Sequence, residues 1–505
     1  MSLPPSIGSI LVVGGGSAGW IAASYLARML RRQRVRVTLV ESPDIGSIGV
    51  GEATIPSMVR FVRAMGLDEA EFMRRVAGSY KLAIRFSDWI EDGHTYWHPF
   101  GPVGPRVAGN DLFHYWFARR AAGAATAPYS EYALQRLLAE AGKGPRPLHA
   151  TSPIIDAGAY AYHLDAGALA AYLREIATGD GVEHLLGEVQ QVELTPDGSI
   201  AGIGIGGGRR LSADLYIDCT GFRGVLAEGA LADPWIDWNH QLLNDRAVVM
   251  PVTRSDEVPP YTHSTAMPGG GWVWQIALAT RTGMGYVHSS AHVDPDRAAE
   301  TLVAQVGTQR RGLADPRLLR MRIGRRTRFW NRNCVAIGLA GGFVEPIEST
   351  GLHTTLRGVE LLFEYWPGVG INPVLRDAYN DRMGRIFDEV RDFIMLHYRF
   401  TRRPEPFWRD AREVPLTPSL ERLLALYDEF GQVEPVEANV FADTSYYLIL
   451  DGSGRYPKRP HPRTALPPAR DIDETLAGLR RHNAVIAETL PRHVDLLDVI
   501  HPANS

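Results

Sequence analysis

The chain opens with an apolar run at Ser9 to Val13, a stretch of helical spacing from Ser17 to about Leu30, and a second apolar run at Val35 to Val40. Two short buried strands joined through a helix start a parallel sheet. Helical periodicity returns from Pro56 to about Tyr80, and Leu112 to Gly142 and Asp165 to Thr178 read as further covering helices. Between Val182 and Asp218 the runs shorten, with turns at Pro196-Asp197-Gly198 and Gly206-Gly207-Gly208. This predicts a small antiparallel ribbon ending in the buried strand Leu215 to Cys219. A second β-rich tract covers Ala247 to Ser289, where Gly269, Gly270 and Gly271 turn the chain into the alternating strand Trp272 to Ile276. The last third changes period. Asn372-Pro373 is an N-cap and first-turn pair, and Leu375, Tyr379, Met383, Ile386, Val390, Ile394 and His397 recur at three- and four-residue steps, giving one long amphipathic helix. Two more helices are expected at Ser419 to Phe430 and Ile472 to Leu490, with a Pro/Arg-rich loop at Arg455 to Arg470 between them.

Composition narrows this picture without adding chemistry. The 505 residues are 45% hydrophobic and 22% charged, ordinary for a globular protein with a substantial core. With 53 basic and 57 acidic residues the formal charge is −4, which gives no global attraction to nucleic acid or an anionic membrane. Cys219 and Cys334 are the only cysteines, too few for a disulfide framework or a cysteine-based metal centre, and a reducing cytoplasm is the expected setting. No run is long enough to span a membrane, and the first apolar run lacks the flanks of a signal peptide, so no membrane association is expected. No metal site is expected: His94 and His98 are four apart, but Pro99 breaks a helix there and no third ligand follows at a recognisable spacing. Eight arginines crowd Arg310 to Arg328, yet Arg320-Met321-Arg322-Ile323 alternates like a strand with one solvated face, and no aromatic platform accompanies them.

The candidate chemistry begins at Gly14-Gly15-Gly16-Ser17-Ala18-Gly19, which is G-x-G-x-x-G after a strand and before a helix, where glycines let a pyrophosphate approach a helix start. Glu41 ends the next strand, somewhat beyond the usual ~20 residues but placed for ribose hydroxyls. Thr220-Gly221 and Gly338 sit at the ends of two further buried strands, and three strand-end glycines in this order favour one bound FAD. Gly49 to Pro56, including Gly51, Glu52, Ala53 and Thr54, is a small-residue loop suited either to close packing on a flavin ring or to a plain entry into a helix. Lys81 lies in an otherwise apolar segment, as a snorkelling side chain or as a buried amine with a carboxylate partner, for which Glu348 is the candidate. Around Glu348, Phe343 to Gly351 leads into an apolar helix, so the N–H groups of Thr350 and Gly351 would face outward as an anion site; capping by Ser349 or Thr350 is the competing reading.

Together these residues resemble the flavin-dependent halogenases of the tryptophan halogenase family over nearly the whole chain. The ordered marks are Gly14 to Gly19, Gly49 to Pro56, Lys81, the tryptophan motif and Phe343 to Gly351. The family motif W-x-W-x-I-P stands here as Trp272-Val273-Trp274-Gln275-Ile276-Ala277, with alanine in place of proline. The resemblance implies an α/β fold: a Rossmann-like FAD-binding domain of the flavin monooxygenase and halogenase type, elaborated in the α+β manner. Residues 1–370 would form this FAD module with its inserted helices and the 247–290 sheet, and 371–505 a mainly helical region completing the substrate pocket.

It also implies that reduced FAD, delivered as FADH2 by a separate NAD(P)H-dependent flavin reductase, reacts with oxygen. A chloride or bromide ion held by Thr350 and Gly351 then becomes hypohalous acid. Lys81 would direct the halogen onto an electron-rich ring by hydrogen-bonding the acid or forming a haloamine, and Glu348 would stabilise the cationic intermediate and take its proton. Ser349 would fix the loop, Val189, Leu339 and Leu352 would contact FAD, and Trp272 and Trp274 would keep substrate from the flavin. His98 and Phe100, in His98-Pro99-Phe100, match the family segment that sandwiches an indole ring. The pair Tyr446-Tyr447 matches part of the grip on free tryptophan, but Ser453 stands where a glutamate would hold the ammonium, and Asp451 on a glycine-rich loop is displaced by two residues. Indole or a related small aromatic without a zwitterion is therefore the expected substrate, ahead of free tryptophan. A flavin-dependent aromatic hydroxylase and a non-catalytic flavin-binding protein are the competing readings, and a homodimer is left open.

Overall fold

The computed structural model describes residues 7–43, 51–148, 159–307, 310–437, 440–465 and 467–502. Gly49 and Val50 of the expected flavin loop lie outside the described residues. The βαβ opening forms as read: strand β1 (Ser9–Val13), helix α1 (Ser17–Met29) and strand β2 (Arg36–Glu41), with β1 and β2 parallel. They sit inside a six-stranded sheet in the order Trp330–Asn331, Cys334–Ala336, Leu215–Asp218, β1, β2, Glu183–Leu186, parallel except at the first pair. The expected ribbon is a separate antiparallel three-stranded sheet of Val189–Leu194, Ile200–Ile205 and Arg209–Leu211.

The turn after β1 shows why those positions are glycine. A Cβ on Gly14 would lie 2.3 Å from the Cys219 carbonyl oxygen, and one on Gly19 would lie 1.8 Å from the Gly14 carbonyl oxygen. A Cβ on Gly16 would meet nothing within 4 Å, so the middle glycine faces open space. Crowded outer positions and an open central one are the arrangement that brings a ligand against backbone N–H groups.

A second sheet has seven strands in the order Arg317–Arg320, Arg246–Thr253, Arg281–His288, Trp272–Ala277, Tyr261–Ala266, Ala83–Ser87, Thr95–Pro99. It carries the tryptophan motif near its middle and His98 on an edge strand. Trp274 pairs with Gly285, where an added Cβ would be 2.1 Å from the indole, so the neighbouring strand yields its side-chain space to that ring. Glu52–Ala53, Ala161–Leu164 and Ser79–Lys81 form a small third sheet.

Several expectations need revision. The helical reading from Pro56 to Tyr80 is two helices, Ser57–Ala64 and Glu69–Arg75, followed by the strand Ser79–Lys81. All three residues of that strand are buried, so no alternation of polar and apolar positions marked it. Leu112 to Gly142 divides into helices Leu112–Ala121 and Leu134–Glu140 with a 3₁₀ turn between them. The arginine strand spans Arg317–Arg320, and residues 321–323 fall outside it. Beyond it, Arg322 and Arg326 pair with Glu228, Arg325 with Asp388 and Arg328 with Asp233. The helix Asp443–Gly452 occupies ground that had given no helical signal and carries Tyr446, Tyr447 and Asp451.

The long helix spans Pro373–Arg399, capped by Asn372 accepting from the Val374 N–H. Its last turns, including Phe393, Ile394, His397 and Tyr398, are buried, so the helix delivers its C-terminal end to the interior. Because the Gly19 position has backbone against it, Gly19→Ala is expected to cost about 1–3 kcal/mol by overpacking. Thermal unfolding should show the loss, and fluorescence titration should show weakened FAD binding.

Candidate active site

A cavity of about 780 Å³ opens at the carboxyl ends of the parallel strands, where open α/β sheets place their ligands. Gly14, Gly16, Ser17, Ala18, Glu41, Gly51, Glu52, Ala53, Val189, Gly338, Leu339, Ser349, Thr350, Gly351 and Leu352 line it, and so do Trp272 and Trp274. Two expected contributors do not reach it. Gly19 is packed beneath Gly14, and the Thr54 hydroxyl donates to the Tyr162 carbonyl oxygen on the small sheet.

The donor set fits an FAD. Glu41 ends β2 with one carboxylate oxygen held by His184 Nε2 at 2.7 Å and remains on the wall. Trp274 lines the cavity, and its buried indole N–H has no partner among the described residues. Burial pushes the Glu52 carboxyl up to about 7.

Behind this cavity lies a packed interior holding Lys81 and Glu348, and the segment Phe343–Gly351 stands between the two. The helix Gly351–Glu364 has Thr350 as its N-cap without a side-chain hydrogen bond, and the Ser349 hydroxyl is turned elsewhere. Neither residue caps the helix, so its first N–H groups face the cavity unshielded; a Cβ on Gly351 would meet nothing within 4 Å. Ser349 holds a left-handed conformation at φ 60°, a strained choice for a residue with a side chain. Its hydroxyl instead accepts a hydrogen bond from Lys81 Nζ at 2.8 Å.

Lys81 is completely buried. Its ammonium position also donates to the Thr54 carbonyl oxygen at 3.0 Å and sits 5.0 Å from the centre of the Phe100 ring. Burial lowers the amine to about 7, with Glu348 pulling weakly the other way. Lysine in this segment therefore does not snorkel. Glu348 is equally buried, and its carboxylate lies between two imidazoles: His98 Nδ1 is 2.8 Å from Oε2, and His397 Nε2 is 2.9 Å from Oε1. Burial works to raise this carboxyl, but His98 and His397 outweigh it and hold it at about 2.

His98 is thus tied to Glu348 as well as bordering an aromatic cluster, with ring centres 6.4 Å from Phe100, 5.7 Å from Phe393 and 6.4 Å from Phe441. Tyr446 meets Phe393 edge-on at 4.9 Å, while Tyr447 stacks on Phe113 at 4.2 Å and points its hydroxyl toward His114. The Asp451 carboxylate is buried in the helix Asp443–Gly452, not on a loop, and accepts from the Tyr129 N–H and the Tyr456 hydroxyl. Burial pushes it up to about 6.

Sequence reasoning missed His397, Phe393, Phe441 and Glu345. Glu345 is buried and accepts from Trp272 Nε1 at 3.0 Å, from Asn244 and from the Tyr398 hydroxyl. The one sequence signal for His397 was a histidine on the apolar face of the long helix.

An FAD-sized cavity at a glycine turn, backed by a buried lysine and a buried glutamate across a shared wall, defines a flavin-dependent enzyme. Residues 9–469 match the family model described as tryptophan halogenase, and the chain belongs to that family of flavin-dependent halogenases. It is 35% identical over 540 residues to the tryptophan 6-halogenase ThaL of Streptomyces albogriseolus, covering 99% of both chains. Its fold is similar to that of a flavin-dependent halogenase from Brevundimonas sp., with TM-score 0.92, 37% identity and coverage of 99% of this chain and 100% of that one. A flavin-dependent halogenase from Xanthomonas campestris matches with TM-score 0.92, 36% identity and 99% of each chain. No helix among the described residues is long and apolar enough to cross a membrane.

A lysine forced toward neutrality by burial is held at a cost to folding. Its folded pKa lies below the unfolded value, so the unfolded state binds more protons and stability rises with pH between about 7 and 10.5. Lys81→Met is accordingly expected to raise the melting temperature by ~2–4 °C near pH 7, and by less as the pH approaches 10. Calorimetry across that range checks the sign; a lower melting temperature at pH 7 would contradict the assigned burial cost.

Proposed function

We propose that this halogenase acts on indole or a closely related small, uncharged aromatic, using Lys81 as the carrier of electrophilic halogen and Glu348 as the counter-charge and proton acceptor. The observation that carries this reading is the 2.8 Å contact of Lys81 with Ser349, the residue beside Thr350 and Gly351 on the cavity wall. One short segment thereby joins an anion-favouring helix start to a buried amine.

Bound FADH2, supplied by a separate flavin reductase, would provide with oxygen and halide the hypohalous acid on which the residues act. Thr350 and Gly351 N–H groups would hold the chloride or bromide. As a neutral amine Lys81 has two N–H donors, which match its two acceptors, the Thr54 carbonyl and the Ser349 hydroxyl. Its lone pair is then available. The amine nitrogen attacks the halogen of hypohalous acid, the N–X bond forms, the O–X bond breaks and water leaves with one amine proton. The ring would then take the halogen as the N–X bond breaks, and the proton it loses would pass by way of Glu348 back to the Lys81 nitrogen, restoring the amine and the carboxylate. Trp272 and Trp274 line the flavin side and would keep the ring from it.

The substrate proposal rests on the opposite wall. Tyr447 and Asp451 are engaged by Phe113, His114, Tyr129 and Tyr456, Ser453 donates to the Ile449 carbonyl, and Tyr446 packs on Phe393. That segment offers aromatic surface to a ring, and the Asp451 carboxylate that could have met an ammonium group is already engaged. The curated relatives named for tryptophan make free tryptophan the direct comparison.

Full-length protein with FAD, flavin reductase, NADH, oxygen and bromide should yield bromoindole, with far less bromotryptophan. Lys81→Ala should abolish bromination while hypobromous acid still forms. Bromination should climb as the pH rises through about 7, where the Lys81 amine loses its proton. A rate that falls through the same range would replace the haloamine route with hydrogen bonding by the ammonium, and hydroxylated product without halide dependence would restore the hydroxylase.

A further inference from the structure

Two neighbouring side chains at the end of the long helix reach the two glutamates of the dividing segment. Tyr398 binds Glu345, and His397 meets Glu348. We infer that His397 is a positioning residue that fixes and keeps charged the Glu348 carboxylate, with Tyr96 setting its tautomer. The inference deepens the proposed function and rests on the role given there to Glu348.

The proton inventory leads to it. Tyr96 is buried, and burial holds its hydroxyl well above the usual range, so it keeps its proton and is able to donate it in a hydrogen bond. Its partner is His397 Nδ1 at 2.9 Å. Burial lowers His397 as well, which leaves the ring neutral with a single N–H. A neutral imidazole that accepts at Nδ1 carries its hydrogen at Nε2, the atom 2.9 Å from Glu348 Oε1. The opposite tautomer would set a lone pair against a carboxylate.

The Nε2–Oε1 approach is close but off the N–H axis, as catalytic contacts often are before substrate arrives. The other oxygen is taken by His98 Nδ1 at 2.8 Å. Hydrogen-bonded by His98 and closely approached by His397, the carboxylate is held from both sides, and its negative charge persists in an interior that would otherwise neutralise it. The ionisable groups facing it are His98 and Tyr96 from the edge strand, His397 from the long helix and Lys81 from the small sheet.

The sign of the consequence follows. Without His397, burial acts on Glu348 with one fewer opposing partner, its pKa rises, and the charged form is lost as pH falls through the raised value. The test compares His397→Phe, His397→Gln, Tyr96→Phe and Glu348→Gln in the reductase-coupled bromination of indole from ~pH 5 to 8. His397→Phe should lower kcat ~10- to 100-fold with little change in KM, and should add a second ionisation on the acid side, so that the rate falls more steeply with decreasing pH than the single-proton fall that Lys81 gives the native enzyme. Flavin binding and trapped hypobromous acid should stay at native levels, showing an intact fold. His397→Gln, whose amide can restore an N–H donor, should recover most of the rate and remove the added ionisation, and Tyr96→Phe should give a weaker form of the His397→Phe change.

A His397→Phe enzyme with native kcat and the native pH profile would overturn the inference, as would failure of His397→Gln to outperform it. Should Glu348→Gln brominate normally, the reading of Glu348 itself falls and takes this inference with it. Loss in Glu348→Gln beside a normal His397→Phe refutes the positioning role alone.

Discussion

Everything around Glu348 answers to one constraint: it is a fully buried carboxylate held in its ionised form. Desolvation alone would neutralise it. Two imidazoles from different parts of the chain prevent this, one from the edge of the seven-stranded sheet and one from the long C-terminal helix. The price is structural, because both elements must dock on the segment Phe343–Gly351 with an accuracy of tenths of an ångström. The long helix meets that demand with consecutive side chains, His397 and Tyr398, one for each glutamate of the segment.

The same segment separates two environments that differ in access. On one side is a cavity large enough for a dinucleotide and lined by backbone and small side chains; on the other is a packed interior with a lysine driven toward neutrality. Ser349 bridges them. Its strained backbone turns its hydroxyl to Lys81 and leaves the following N–H groups exposed to the cavity. A side-chain cap on that helix would relieve the unsatisfied donors and close the anion position at the same time. Its absence is consistent with a start of helix kept open for a ligand. Trp272 is held to the same segment through Glu345, so the tryptophan barrier and the glutamate wall form one connected unit.

The nucleotide half of the fold was legible because its rules are local. A glycine turn between a strand and a helix states its geometry within six residues, and Gly14, Gly16 and Gly19 differ in space as their roles require. Lys81 could be singled out as anomalous, a charge among apolar neighbours, but its burial depended on a strand that carries no alternation. His397 was visible only as one polar member of an apolar helical face. Its partner lies 49 positions away in the chain, and nothing in the spacing indicates that distance is closed. The helix Asp443–Gly452 escaped notice for a related reason: Thr444, Tyr446 through Asp451 are buried, so packing overrides a sequence with poor helical periodicity.

That helix also constrains what the reaction site can hold. A loop carrying Asp451 could have swung toward a substrate ammonium, whereas a helix cannot redirect one side chain without moving its neighbours. Asp451 is further committed to Tyr129 and Tyr456, and burial favours its neutral form as the pH falls through about 6. Turning it toward a zwitterion would break two buried hydrogen bonds, each worth about a kcal/mol, and leave the Tyr129 N–H unsatisfied. The same move would disturb the stacking of Tyr447 on Phe113. An uncharged ring against His98, Phe100, Phe393 and Phe441, as proposed, would ask for none of these changes, and its electron density is what the proposed transfer of halogen from a neutral amine would require.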